Sequence, residues 1–170
     1  MKLNLPAVLT GFIYLGIVSC NLGDSQQQPK HISKAKPSLN EINDDLANGL
    51  KSYSLQADPA IRYYVIIPGT GCGGCISGVE SFLKDNYTKF DNTRFILTKI
   101  QSKKMLKIKL GIDITDRHLI IDSSDFFSQK SLYTIYPAFY FMDSTQKVSK
   151  FSYASPEENG LEKLTAELGK

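Results

Sequence analysis

The stretch that most limits the fold is "YYVIIPGTGCGGCISGVESFL", Tyr63 to Leu83. Its first six residues are aromatic, β-branched or proline, with no polar break after Arg62. A continuous apolar run of that length reads as a strand buried on both faces. Glycines then crowd the chain at Gly69, Gly71, Gly73 and Gly74, around two of the three cysteines. After Cys75 the pattern changes period: Ile76, Val79, Phe82 and Leu83 fall on one side of a helix. A buried strand that passes through a glycine-rich turn into an amphipathic helix is half of a βαβ unit, which predicts an α/β fold with parallel strands.

The rest of the chain extends that unit. Ser38 followed by Glu41 is a capping-box pattern, and Leu39, Ile42, Leu46 and Leu50 recur at helical spacing, which predicts a helix over 39–53. "TRFILTKI" predicts a second strand, "SKKMLKIKLGI" a short helix ended by Gly111, and "RHLIID" a third strand. "SSDFFSQKSLYTI" predicts irregular chain or a single helical turn. "AFYFMD" and "KVSKFSY" predict a hairpin joined by "STQ". Ser155-Pro156-Glu157-Glu158 then supplies an N-cap, a first-turn proline and a capping-box glutamate for a last helix, buried through Leu161, Leu164 and Leu168. Alternating strands and helices followed by a late hairpin predict a central mixed sheet with helices on both faces.

The N-terminal residues read differently. Met1-Lys2 and "LPAVLTGFIYLGIV" form a short charged start and an apolar segment too short to span a bilayer as a helix. The segment ends in "IVSC", which resembles a bacterial lipobox, with Cys20 as the residue that would become the lipidated N-terminus. The expected organisation is a lipoprotein signal peptide over 1–19, a lipidated and flexible polar tether over 20–38, and one folded domain over 39–170. A lipid anchor puts that domain outside the cytoplasm on the bacterial cell envelope, on the periplasmic face or the outer membrane, where thiols can be held oxidised. The net charge of +3 comes with no dominant basic cluster, and Lys103, Lys104, Lys107 and Lys109 read as the solvated side of a helix, so nucleic acid is not an expected partner.

With Cys20 assigned to lipid, Cys72 and Cys75 remain as a pair. A cysteine where a strand gives way to a helix sits among unpaired N–H groups and the positive end of the helix dipole, which favour its thiolate. A free thiol has a pKa of about 8.5, and C-x-x-C motifs at helix starts lower it to roughly 3.5–7.5. Cys72 is the expected nucleophile, exposed at the strand end. Cys75, one turn inward and shielded, is the expected resolving thiol. Gly71, Gly73 and Gly74 are expected to leave room for the backbone of a partner.

At this point the chain resembles the thioredoxin superfamily over most of its length after the tether. The resemblance rests on strand–CGGC–helix, on "IYPAFYFMD", and on the hairpin and helix that come after it. In that family a cis-proline directly precedes a strand and packs against the C-x-x-C disulfide, which matches Pro137 with Tyr136 before it. The longer spacer carrying "HLIIDSSDFFSQKS" looks more like the membrane-tethered, TlpA-like or redoxin-type branch. The resemblance implies a thioredoxin-like fold and a monomeric thiol–disulfide oxidoreductase. Its working group would be the Cys72–Cys75 disulfide, with no further cofactor, and its partners envelope proteins carrying thiols or disulfides. The sequence departs from the family in lacking tryptophan before the motif, in having Ile66 where a buried acid is usual, and in placing Gly-Gly between the cysteines.

Other uses of the pair are less well supplied. A purely structural disulfide over so short a loop constrains the unfolded chain little. Zinc calls for four ligands, which two cysteines with His31 and His118 do not easily supply. Two thiolates with His118 would suit a soft copper site, so a copper-binding or copper-chaperone lipoprotein using Cys72, Cys75 and His118 is the alternative.

Overall fold

The computed structural model describes residues 36–56 and 58–169, which form an α/β unit with four helices and a six-stranded mixed sheet. In chain order the elements are α1 (Leu39–Ser52), β1 (Tyr63–Pro68), α2 (Gly73–Asn86), β2 (Thr93–Thr98), α3 (Lys103–Leu110), β3 (Leu119–Asp122), β4 (Ala138–Met142), β5 (Val148–Ser155), β6 (Glu158–Asn159) and α4 (Gly160–Leu168). Two 3₁₀ turns, Phe126–Ser128 and Lys130–Leu132, fill the connection from β3 to β4. The signal segment, Cys20, His31 and most of the polar tether lie outside the described residues. Among the described residues no helix is long and apolar enough to cross a membrane.

The sheet runs in the order β3-β2-β1-β4-β5-β6. β1 pairs parallel with β2, and β2 with β3; β4 is antiparallel to β1, and β5 and β6 continue antiparallel. The expected βαβ unit and late hairpin are therefore both present. The continuous apolar run of β1 also has the expected cause. Tyr64 and Ile66 join the core on the α1 side, with Ile42, Leu46, Phe127 and Tyr140. Val65 and Ile67 join the core on the other side, with residues of α2, α3 and α4 such as Val79, Leu106 and Leu164. Successive side chains of a strand point to opposite faces, so a strand covered on both has no position left for a polar residue.

Local signals set the helix ends. Ser38 Oγ accepts the Glu41 N–H, and the Glu41 carboxylate accepts the Ser38 N–H at 2.9 Å, a complete capping box. Gly111 closes α3 in the left-handed conformation at φ 66°.

Two sequence expectations need correction. Lys36, placed in the tether by composition, is held against the domain. Its ammonium bonds Glu158 at 3.0 Å and lies 4.7 Å from the Phe151 ring centroid. Ser155-Pro156-Glu157-Glu158 does not start the last helix. The Glu158 N–H does donate to Ser155 Oγ at 3.1 Å, but Ser155 and Glu158 pair as β5 and β6 across a tight turn. Glu158 Oε2 accepts from Ser152 Oγ and the Tyr153 N–H, which keeps the segment on the sheet. α4 begins at Gly160 instead, with Asn159 before it making no side-chain cap bond. A Cβ at Gly160 would run into the buried Phe139 ring, so only glycine lets the helix start so close to the sheet.

Candidate functional site

β1, β2 and β3 are parallel, so their C-terminal ends share one edge of the sheet, and antiparallel β4 begins at that edge. The glycine-rich turn leaves β1 there. Cys72 is the N-cap of α2, in extended conformation, with no side-chain cap bond. Cys75 lies in the first turn, its Cα 5.3 Å from that of Cys72, and the two sulfurs lie at disulfide-bonding distance. Both cysteines are half-buried, so the expected contrast of an exposed Cys72 and a shielded Cys75 is not present in this disulfide-linked state.

The glycines divide into two kinds. A Cβ at Gly73 or Gly74 would meet nothing within 4 Å, so the outer side of the motif is open space. Gly71 is different. It has φ +148°, and a Cβ there would collide with the Ile135 backbone, whose carbonyl accepts the Cys72 N–H at 2.9 Å. The expectation that Gly71 makes room for a partner is therefore corrected: the chain itself occupies that space. Gly69 is filled in the same way by the Lys99 carbonyl.

The segment before β4 thus reaches the cysteines, but not as the family resemblance implies. No peptide bond among the described residues is cis, so Tyr136–Pro137 is trans. Trans is the lower-energy isomer, and here the chain meets the motif one residue before that bond, at Ile135. Pro137 is buried, with its carbonyl accepting the Ala154 N–H, and Tyr136 is half-buried, its N–H bonded to Thr134 Oγ1 at 3.0 Å. Tyr133 and Ile135 are exposed at 50% and 36%, an apolar strip beside the disulfide. The Lys99 ammonium lies 4.6 Å from the Tyr133 ring centroid, at the end of β2.

One residue at this edge escaped the sequence reading. Asp122, the last residue of β3, is fully buried. Its Oδ1 accepts from Tyr53 Oη at 2.5 Å and from the Phe126 N–H, and its Oδ2 accepts from Thr98 Oγ1 at 2.7 Å and the Phe127 N–H. A buried carboxylate persists where its lone pairs are this well occupied. Burial first, then the bond to Asp122, raises the Tyr53 phenol above its ordinary pKa. Asp122 fastens the loop after β3 to α1 and β2, and within that loop Asp125 accepts the Lys99 N–H at 2.9 Å. The available signal was an aspartate closing an apolar strand and followed by "SSD", a turn-forming run.

His118 is at the other end. It precedes Leu119, which pairs with Phe95, and Phe95 pairs with Val65, three residues before Pro68. At roughly 3.3 Å per residue that separates His118 from the end of β1 by about 10 Å or more. Its ring nitrogens face Asp116 at 2.5 Å and Asp91 at 3.1 Å. The His118 hydrogen bond, then the Arg117 charge, holds the Asp91 carboxyl below its usual range. Cys72, Cys75 and His118 do not converge, and no group of three or more metal-ligating side chains occurs among the described residues. The copper alternative loses its third ligand.

Compared with known proteins, the chain matches no family model, no curated protein and no solved structure.

Proposed function

We propose that the chain is a thioredoxin-like thiol–disulfide oxidoreductase, tethered to the bacterial envelope through a lipid on Cys20, in which Cys72 and Cys75 exchange disulfides with envelope proteins. The observation that carries this reading is a pair of cysteines at disulfide distance on the first turn of α2, at the sheet edge beside an exposed strip. The motif between parallel β1 and β2, the hairpin after Pro137 and the closing helix α4 support it, in the order the resemblance requires.

In the reducing direction the Cys72 thiolate attacks one sulfur of a substrate disulfide. A Cys72–substrate mixed disulfide forms, and the other substrate sulfur leaves as a thiolate. The Cys75 thiolate then attacks Cys72 Sγ, closes the Cys72–Cys75 disulfide and expels the second substrate thiolate. Two electrons pass from the cysteine pair to the substrate, and oxidation is the same path in reverse. The N–H groups of the first turn of α2 and its dipole favour negative charge on Cys72.

Trapping tests the assignment. Cys75→Ser should accumulate covalent envelope partners on non-reducing gels, because the mixed disulfide loses its resolving thiol. Cys72→Ser should accumulate almost none. In the reduced protein, Cys72 should alkylate faster than Cys75 near neutral pH. Equal, slow alkylation with no trapped partner in either variant would refute an exchanging pair.

A further inference from the structure

Resting on the oxidoreductase reading, we infer that Lys99, Tyr133 and Ile135 form a docking strip that selects cysteine-bearing polypeptide segments carrying acidic side chains. The strip is joined to the reactive pair by a hydrogen bond: the Ile135 carbonyl holds the Cys72 N–H at 2.9 Å. A segment whose sulfur reaches Cys72 from that side passes Ile135, and Tyr133 two residues before it, both exposed. Two apolar side chains at alternate positions match the spacing of side chains along an extended chain.

Charge then narrows the partner. Lys99 forms no ion pair with a carboxylate among the described residues; its ammonium rests on the Tyr133 ring at 4.6 Å. The backbone of Lys99 is held from three sides. Its backbone is left-handed at φ 55°, its carbonyl packs on Gly69, and its N–H is held by Asp125. The first turns of α2 and α3 contain no acidic residue, and exposed Lys103 and Lys104 open α3. Against these stands Asp125 at the surface, since Asp122 is buried and enclosed by donors. An ammonium on a backbone held in place, resting on an exposed aromatic ring and in no ion pair among the described residues, complements a carboxylate on a residue of the substrate near its cysteine.

The test uses the full chain in detergent, reduced with dithiothreitol and freed of excess reagent. Its substrates are two synthetic peptide disulfides, each a dimer joined through one cysteine beside a phenylalanine, identical except that one has glutamates and the other lysines flanking that pair. Reading the ratio of the two exchange rates within each protein cancels any effect on the cysteines themselves. Wild type should reduce the glutamate peptide about tenfold faster than the lysine peptide at low salt, and the ratio should shrink in high salt. Lys99→Gln should bring the ratio close to one, and Lys99→Glu should invert it. Equal rates in wild type, or a ratio unchanged by Lys99→Glu, would overturn the docking strip and leave the exchange chemistry standing. If the protein reduces neither peptide nor hydroxyethyl disulfide, the oxidoreductase reading itself fails, and the strip with it.

Discussion

Gly71 and Gly73 differ by two positions and by opposite demands. Gly71 holds a φ that L side chains rarely adopt, and the Ile135 backbone fills the space its side chain would take. Gly71→Ala should therefore drive the turn away from Ile135, break the Cys72 N–H bond, and cost about 2–4 kcal/mol in urea melts. Gly73→Ala meets open space at the first position of α2 and should be neutral or stabilise by less than about 1 kcal/mol, the gain of alanine over glycine in a helix interior. Equal midpoints for the two variants would show that the Ile135 contact contributes nothing. This difference also marks the limit of what the sequence discloses. The cysteine pair, its place at a helix start and its strand were legible, because they depend on neighbours a few residues away. The role of Gly71 was not, because its neighbour Ile135 lies far along the chain. Asp122 was missed for the same reason, since two of its donors, Tyr53 and Thr98, lie far along the chain.

Ser38–Glu41 and Ser155–Glu158 carry the same Ser-x-x-Glu pattern, and of the two only the first begins a helix. Ser38 and Glu41 satisfy each other at the start of α1. At Ser155 and Glu158 the carboxylate is claimed instead by Ser152, Tyr153 and Lys36, and the chain stays on the sheet. Local pattern predicts that a turn occurs there, while the partners across the sheet decide whether a strand or a helix comes after it. Burial alone would raise the Glu158 pKa, but the bonds from Ser152, Lys36 and the Tyr153 N–H outweigh it and bring it down from 4.5 to about 2. A carboxylate with a depressed folded-state pKa stabilises the fold above its unfolded value and loses that contribution as pH falls through the folded one. Glu158→Gln should thus be less stable than wild type at pH 7, by a margin of the order of 1–3 kcal/mol, and the two melting curves should converge between about pH 4.5 and pH 2. A gap that persists at pH 2 would mean that the glutamate acts through packing and not through its charge.

At the scale of the molecule, one face of the sheet is covered by α1 with the 3₁₀ turns and the other by α2, α3 and α4. This two-sided arrangement followed from the period of the apolar residues. The position of the site followed from topology, since parallel strands deliver their connections to one edge. Near the start of the described residues Lys36 is clamped by Glu158 and the Phe151 ring, and Cys20 precedes it in the sequence along a polar segment. The proposed anchor makes a definite expectation for the whole chain. Mass spectrometry of detergent-extracted protein should find Cys20 as the N-terminal residue, increased in mass by its acyl groups, and Cys20→Ser should release the domain from the membrane fraction. An intact Met1 on membrane-extracted protein would remove the anchor from the proposal.

The uncapped start of α2 has a further consequence. In the disulfide-linked state Cys72 stands at the N-cap and its sulfur accepts no hydrogen bond from the first turn. Opening the disulfide frees that sulfur to become an acceptor at the one place where helical N–H groups have no other partner. In the proposed exchange, the electron pair that reduces the protein would thus also supply the helix with its missing cap. The energy of that cap would enter the reduction itself, so the helix would contribute to the driving force of the proposed chemistry as well as holding its residues in place.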